Sequence, residues 1–162
     1  MIKKNLKKIL INSLIVFTIF LIDRISKVYI IKLAELENNL DIFVTSYLNF
    51  YLVWNQGISF GLFSSNDNFA YGILTFIISL IIIILIIMII KEPSNFKKYS
   101  LLLVLGGALG NLFDRVYYHA VPDFIDFHIQ NIHWFIFNVA DIFISLGVIC
   151  LIYAEIFFKN KD

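Results

Sequence analysis

Several residues that can do acid–base work stand inside or beside long apolar runs of this sequence. Asp141 lies in the run that begins at Trp134, with Asn138 three residues before it. Asn111, Asp114 and Arg115 stand at i, i+3 and i+4, which is one face of any helix that carries them. Asp23 and Lys27 stand at i and i+4, an acid before a base. Asp123 and Asp126 follow in the segment VPDFID. The resource offered is carboxylate chemistry: two close carboxyl groups cannot both ionise cheaply, so one can act as general base and the other as general acid. No G-x-S-x-G, outer Ser–Lys arrangement or P-loop supports a nucleophilic serine or a bound nucleotide. His119, His128 and His133 match no zinc spacing, so neither metal nor cofactor is expected.

Plain structural readings stand beside these. Asp23–Lys27 reads as an ion pair near an interface, and Asp114–Arg115 as a salt bridge holding a bundle. Gly106, Gly107 and Gly110 read as helix packing, and Asp123 and Asp126 as solvated loop acids. Asp141 resists that treatment, because its own run holds no basic residue and an unpaired buried carboxylate takes up a proton. Cys150, the single cysteine, reads as a small buried hydrophobe.

The elements that must position these groups follow from composition. Of 162 residues, 60% are hydrophobic and 15% charged, against about 25% charged in soluble domains. So apolar a chain needs a bilayer as solvent, and its length suits one integral membrane domain over residues 1–162. With a net charge of +1 and no basic stripe, no nucleic-acid partner is expected. A helix needs roughly 20 apolar residues to cross the hydrocarbon core. Four segments qualify: Ile9–Ile31, Phe69–Ile90, Tyr99–Tyr118 and Trp134–Phe158. The first run continues past Asp23 without a small-residue cleavage site, so a retained span is expected rather than a signal peptide. Loops 33–67 and 119–133 lack Lys and Arg, whereas Lys3, Lys4, Lys7, Lys8, Lys91, Lys97, Lys98, Lys159 and Lys161 flank the opposite ends. Both termini are then cytoplasmic and the longer loops outside. Tyr29, Tyr71, Tyr117, Tyr118 and Trp134 fit interfacial belts. The β-branched and aromatic stretch Ile42–Val53 predicts a small sheet in the first outer loop.

Depth ties the polar residues together. At about 1.5 Å per residue, Asp23 lies about 21 Å from the inner end of span one, and Asn111 and Asp114 about 18 and 22 Å along span three. Asn138 and Asp141 fall about 6 and 10 Å below the outer end of span four. Three helices thus deliver polar groups to the outer third of the membrane.

The islands DRISK (Asp23–Lys27), NQGISFG (Asn55–Gly61), GGALGNLFDRV (Gly106–Val116), VPDFID (Val121–Asp126) and FNVAD (Phe137–Asp141), in this order, resemble the lipoprotein signal peptidases (signal peptidase II) over nearly the whole chain. The resemblance implies an all-α, four-helix membrane bundle with a small extracytoplasmic β-rich subdomain. It implies an aspartic endopeptidase of the bacterial cytoplasmic (inner) membrane that cuts diacylglyceryl-modified prolipoproteins on the N-terminal side of the lipidated cysteine. Asp123 and Asp141 correspond to the catalytic carboxylates. Asn55, Gly57, Asn111, Arg115 and Asn138 correspond to residues that bind substrate, and Asp23, Lys27 and Asp114 to structural polar residues. It further implies membrane lipids as neighbours, globomycin as an inhibitor, and a monomer. Pro122 before Asp123 and Ser59 in place of a common alanine depart from the family's pattern.

Two other classes compete. A small transporter or channel subunit would also keep intramembrane Asp and Arg, but its polar groups should cross the membrane, and span two has none. A non-catalytic subunit that binds lipidated partners should tolerate Asp141→Asn.

Overall fold

The computed structural model describes residues 2–37, 41–57, 68–129 and 132–158. In chain order the elements are α1 (Ile2–Glu37), β1 (Asp41–Thr45), β2 (Leu48–Asn55), α2 (Asn68–Lys91), α3 (Asn95–Tyr117), β3 (Val121–Ile129), β4 (Ile132–Phe137) and α4 (Val139–Phe158). Ser59 and most of the NQGISFG island beyond Gly57 lie outside the described residues, as does the side chain of His133.

Among the described residues, three helices are long and apolar enough to cross a membrane: α1, α2 and α4. Their surfaces need lipid. Leu14 is 63% exposed, Ile90 76% and Ile149 60%, an apolar display that water would not tolerate on this scale. The remaining helix, α3, carries Lys97 and Lys98 near its start and Asp114 and Arg115 near its end, which lowers its hydropathy. It packs against α1, α2 and α4 together, so its polar end is walled by protein. Leu101, Leu102, Val104 and Leu105 of α3 form the main core with Ile82, Leu85 and Ile89 of α2.

Helix ends follow local chemistry. After α2, Glu92 and Pro93 break the run, and Ser94 caps α3 by accepting the Lys97 N–H at 3.4 Å. Past α3 the chain turns at His119, whose φ of 56° is left-handed. α1 overshoots the expected Ile31 to Glu37, leaving Lys32, Glu35 and Glu37 exposed on its final turns.

The four strands make one antiparallel sheet in the order β1-β2-β3-β4. The expected strand stretch Ile42–Val53 is a hairpin turning at Ser46–Tyr47. The segment expected as a plain loop, 119–133, instead supplies β3 and the start of β4. The fourth helix does not begin at Trp134: β4 runs to Phe137, and α4 starts at Val139. The apolar run IHWFIF contains β-branched and aromatic residues that pair with β3 as well as they would face lipid, and periodicity cannot separate the two. Asp141 therefore sits in the first turn of its helix rather than about 10 Å along it. One sheet face covers the C-terminal part of α1, where Ile30 and Phe124 pack with Leu33, Ile42, Phe50 and Leu52.

Candidate active site

A bulge aims the first carboxylate. Phe50 pairs with Ile125 and Val53 with Asp123, so two β2 residues oppose the single Phe124. Such an extra residue bends its strand and redirects side chains. Beyond it, Asn55 lies diagonally across from Asp123 and donates Nδ2–H to Asp123 Oδ2 at 2.9 Å. Asn55 is itself held, because its Oδ1 accepts the Gly57 N–H at 3.1 Å. Pro122 causes no loss here. β4 reaches only as far as Phe137, opposite Ile125, so Val121–Phe124 has β2 on one side alone and a missing N–H can be accommodated.

The second carboxylate belongs to a capping box. Asn138 stands between β4 and α4 as the N-cap of α4. Its Oδ1 accepts the Asp141 N–H at 3.2 Å, and its own N–H donates to Asp141 Oδ2 at 3.1 Å. The remaining Nδ2 of Asn138 donates to Asp123 Oδ1 at 2.6 Å. One asparagine thus bonds both carboxylates. Asp141 Oδ1 accepts the Asn111 Nδ2–H at 2.8 Å, the fourth amide donor to the two carboxylates together. That contact depends on close helix packing: a Cβ on Gly107, one turn before Asn111, would fall on the Ala140 carbonyl oxygen.

Behind this pair lies a buried ion cluster. Lys27 Nζ reaches Asp23 at 2.9 Å, Asn111 Oδ1 at 2.9 Å and Asp114 Oδ2 at 2.7 Å. Arg24 completes the charge balance by pairing with Asp114 and Asp23 and lies over the Phe113 ring at 4.9 Å. Asp23, Lys27 and Asp114 are 0% exposed. Asp23 Oδ1 also accepts the Ala140 N–H at 3.0 Å, tying α1 to the first turn of α4. Gly110 makes room, since a Cβ there would stand 2.5 Å from Asp23 Oδ2.

Asp123 is 4% exposed, and that burial pushes its carboxyl up to about 6. The Asn138 and Asn55 hydrogen bonds oppose the rise and the Asp141 charge adds to it.

The residues singled out from sequence therefore come together with one rearrangement. Asp23–Lys27 is an ion pair, as expected. Asp114 pairs with Lys27 and Arg24 from α1, across helices, instead of with Arg115 next to it. Arg115 donates to the Asn111 carbonyl at 3.3 Å. Asp126, the other acid of VPDFID, lies 3.7 Å from His128 Nδ1. Arg24 escaped the sequence reading. The signal was charge counting: Asp23 and Asp114 need two bases at that depth, and Arg24 and Lys27 share one helical face. Among the described residues, no group of three or more His, Cys, Asp or Glu side chains is arranged to hold a metal ion.

Paired carboxylates held by amides, in a chain of membrane-spanning helices, are the equipment of a membrane-embedded peptidase of the aspartic type. The model of the family described as signal peptidase (SPase) II matches residues 15–157. A lipoprotein signal peptidase of Pelagibacter ubique is 52% identical over 159 residues, 98% of this chain and 95% of that protein. One from Anaplasma phagocytophilum is 40% identical, covering 93% of this chain and 95% of the relative. Two solved structures titled as bacterial membrane enzymes, obtained by the in meso method, share the fold. The first has a TM-score of 0.75 at 28% identity over 93% of this chain and 92% of its own. The second has a TM-score of 0.74 at 31% identity over 93% of each. The chain belongs to the signal peptidase II family of aspartic-type peptidases.

Proposed function

We propose that Asp123 and Asp141 are the catalytic pair with which this protein releases signal peptides from diacylglyceryl-modified prolipoproteins, cutting on the N-terminal side of the lipidated cysteine. The observation that carries the assignment is Asn138, which bonds both carboxylates from one position between β4 and α4. Two carboxyl groups so linked share a proton. The ionised member takes a proton from water as it attacks the scissile carbonyl, and the protonated member donates to the carbonyl oxygen. The pair titrates as a unit. Asn55, Gly57, Asn111, Arg115 and Asn138 surround it with groups that can satisfy the backbone of an extended substrate at membrane depth, where unpaired polar groups are costly. Globomycin, an inhibitor of this family, would occupy the same place.

The membrane arrangement belongs to the same reading. α3 is a fourth span, made tolerable by packing against the other three helices. Both termini face the cytoplasm of a bacterial cell, by the lysine asymmetry. The sheet and the carboxylates then lie at the outer face of the inner membrane. There the signal peptide's apolar stretch and the diacylglyceryl chains, both in lipid, present the bond between them. The whole chain acts as one integral membrane domain and as a monomer surrounded by lipid.

The test is cleavage of a diacylglyceryl-modified prolipoprotein by purified protein in detergent, with Asp123→Asn and Asp141→Asn alongside. Folded variants that do not cut are the expected result. Variants that cut as fast as wild type would make the carboxylates structural.

A further inference from the structure

Three asparagines feed the two carboxylates, and each has its carboxamide held in one sense. Asn55 Oδ1 takes the Gly57 N–H, and Asn138 Oδ1 takes the Asp141 N–H. Asn111 Oδ1 accepts an N–H hydrogen bond from Lys27 Nζ. A carboxamide has two ends of similar size, and only the NH₂ end can serve a carboxylate oxygen. Turned over, Asn111 would present oxygen to Asp141 Oδ1 at the 2.8 Å now spanned by a hydrogen bond. A backbone N–H sets the sense of the other two amides. For Asn111 the task falls to an ammonium, which has three donors and no acceptor. Those donors meet three partners, Asp23, Asn111 and Asp114, from two helices, and Lys27 is 0% exposed.

We propose that Lys27 is a positioning residue for the peptidase reaction: it fixes the sense of the Asn111 carboxamide, so that Asn111 holds Asp141 by an N–H donor. Asp23 and Asp114 neutralise the ammonium and place it, and Asp23 secures the same helix turn through the Ala140 N–H. The ion cluster thereby acts on the carboxylate pair through a single amide and one peptide N–H. The inference rests on the assignment of Asp141 to the pair.

The experiment compares Lys27→Met/Asp114→Asn, which removes one charge of each sign, with Asp114→Asn alone. Both are read by steady-state cleavage of lipidated prolipoprotein and by thermal unfolding in detergent. The double variant should lose about 10²-fold in kcat relative to Asp114→Asn, the scale expected when a reacting group is misplaced by about 1 Å, with KM little changed. Adding Asn111→Ala to the double variant should then cost less than it costs in Asp114→Asn, because without Lys27 the amide no longer holds Asp141 by its donor. Equal kcat for the double variant and Asp114→Asn would overturn the proposal, as would a triple variant whose losses simply multiply. If the double variant does not fold, Asn111→Asp decides. It keeps an oxygen for Lys27 but turns a second oxygen toward Asp141, and should be slower than Asn111→Ala. An Asn111→Asp enzyme as fast as Asn111→Ala shows that amide sense is irrelevant. Asp141→Asn, run in parallel, separates the two ideas: its full activity removes the catalytic pair, whereas its inactivity beside a normal double variant removes only the role of Lys27.

Discussion

Asp123 should make the protein less stable as the pH rises, against the usual behaviour of a hydrogen-bonded carboxylate. Burial lifts its carboxyl from 3.8 to about 6, more than the Asn138 and Asn55 hydrogen bonds lower it. The folded state then binds this proton more tightly than the unfolded chain does. Between about pH 4 and pH 6 the unfolded state gives up the proton first, so stability falls through that window and levels off above it. The side chain is 4% exposed, so solvent screens little, and the full shift corresponds to about 3 kcal/mol. For a chain of this length that is about 6–12 °C of melting temperature. The assay is thermal unfolding in detergent from pH 4 to pH 7 for wild type and Asp123→Asn. Other groups titrate in both, so the informative quantity is the difference between the curves. The wild type should lose ground to the variant by that amount as the pH rises, with most of the change below pH 6. Parallel curves, or a wild type that gains on the variant, would refute the argument that burial governs this carboxyl.

The remaining predictions concern activity and packing. The kcat/KM profile should fall on its alkaline side near pH 6 in the free enzyme, where Asp123 gives up its proton; a profile flat from pH 5 to pH 8 would contradict a mechanism that needs that proton. Gly110→Ala should destabilise by about 1–3 kcal/mol, although Ala normally favours a helix, because the new Cβ would stand 2.5 Å from Asp23 Oδ2; unfolding in detergent reads the sign. Asn138→Asp keeps an N-cap oxygen for α4, yet it should lose both cleavage and melting temperature, since it exchanges the donor facing Asp123 for an oxygen and crowds a third carboxyl against the pair. A variant with wild-type turnover would show that the bridge between the carboxylates is dispensable.

The helices and the chemistry were readable for the same reason. Apolar runs of bilayer length are long enough to be unambiguous, and a polar residue inside one stands out against them. Asp141, Asn111 and Asp23 were visible that way, and contacts at 2.8 Å and 2.9 Å tie them into one network. The sheet was half readable. Ile42–Val53 has turn and strand chemistry, but IHWFIF runs straight into an apolar helix, and no glycine or proline marks the change at Asn138. What marks it is the N-x-x-D capping box, which in a sequence looks like an intramembrane polar pair. Partner choice was not readable. Adjacent Asp114 and Arg115 look like a pair, yet neighbouring side chains on a helix diverge, and Asp114 finds Lys27 and Arg24 on another helix.

That cross-helix cluster is a poor way to hold a bundle together. Two acids and two bases removed from water recover in mutual attraction roughly what they lose in hydration, and apolar replacements of similar volume are often as stable or more so. Helix packing alone could be had from Leu, Ile and Val, as it is between α2 and α3. What apolar side chains could not supply is direction. Lys27 can only donate, Asp23 can only accept while ionised, and the groups they touch are the Asn111 carboxamide oxygen and the Ala140 N–H. Each contact leads one step further to Asp141, through the other end of the amide or through the next residue of the helix. The cluster is buried behind the two carboxylates, and its polarity sets which atoms face them. A symmetric apolar core would hold the helices at the same spacing and leave the amide free to turn.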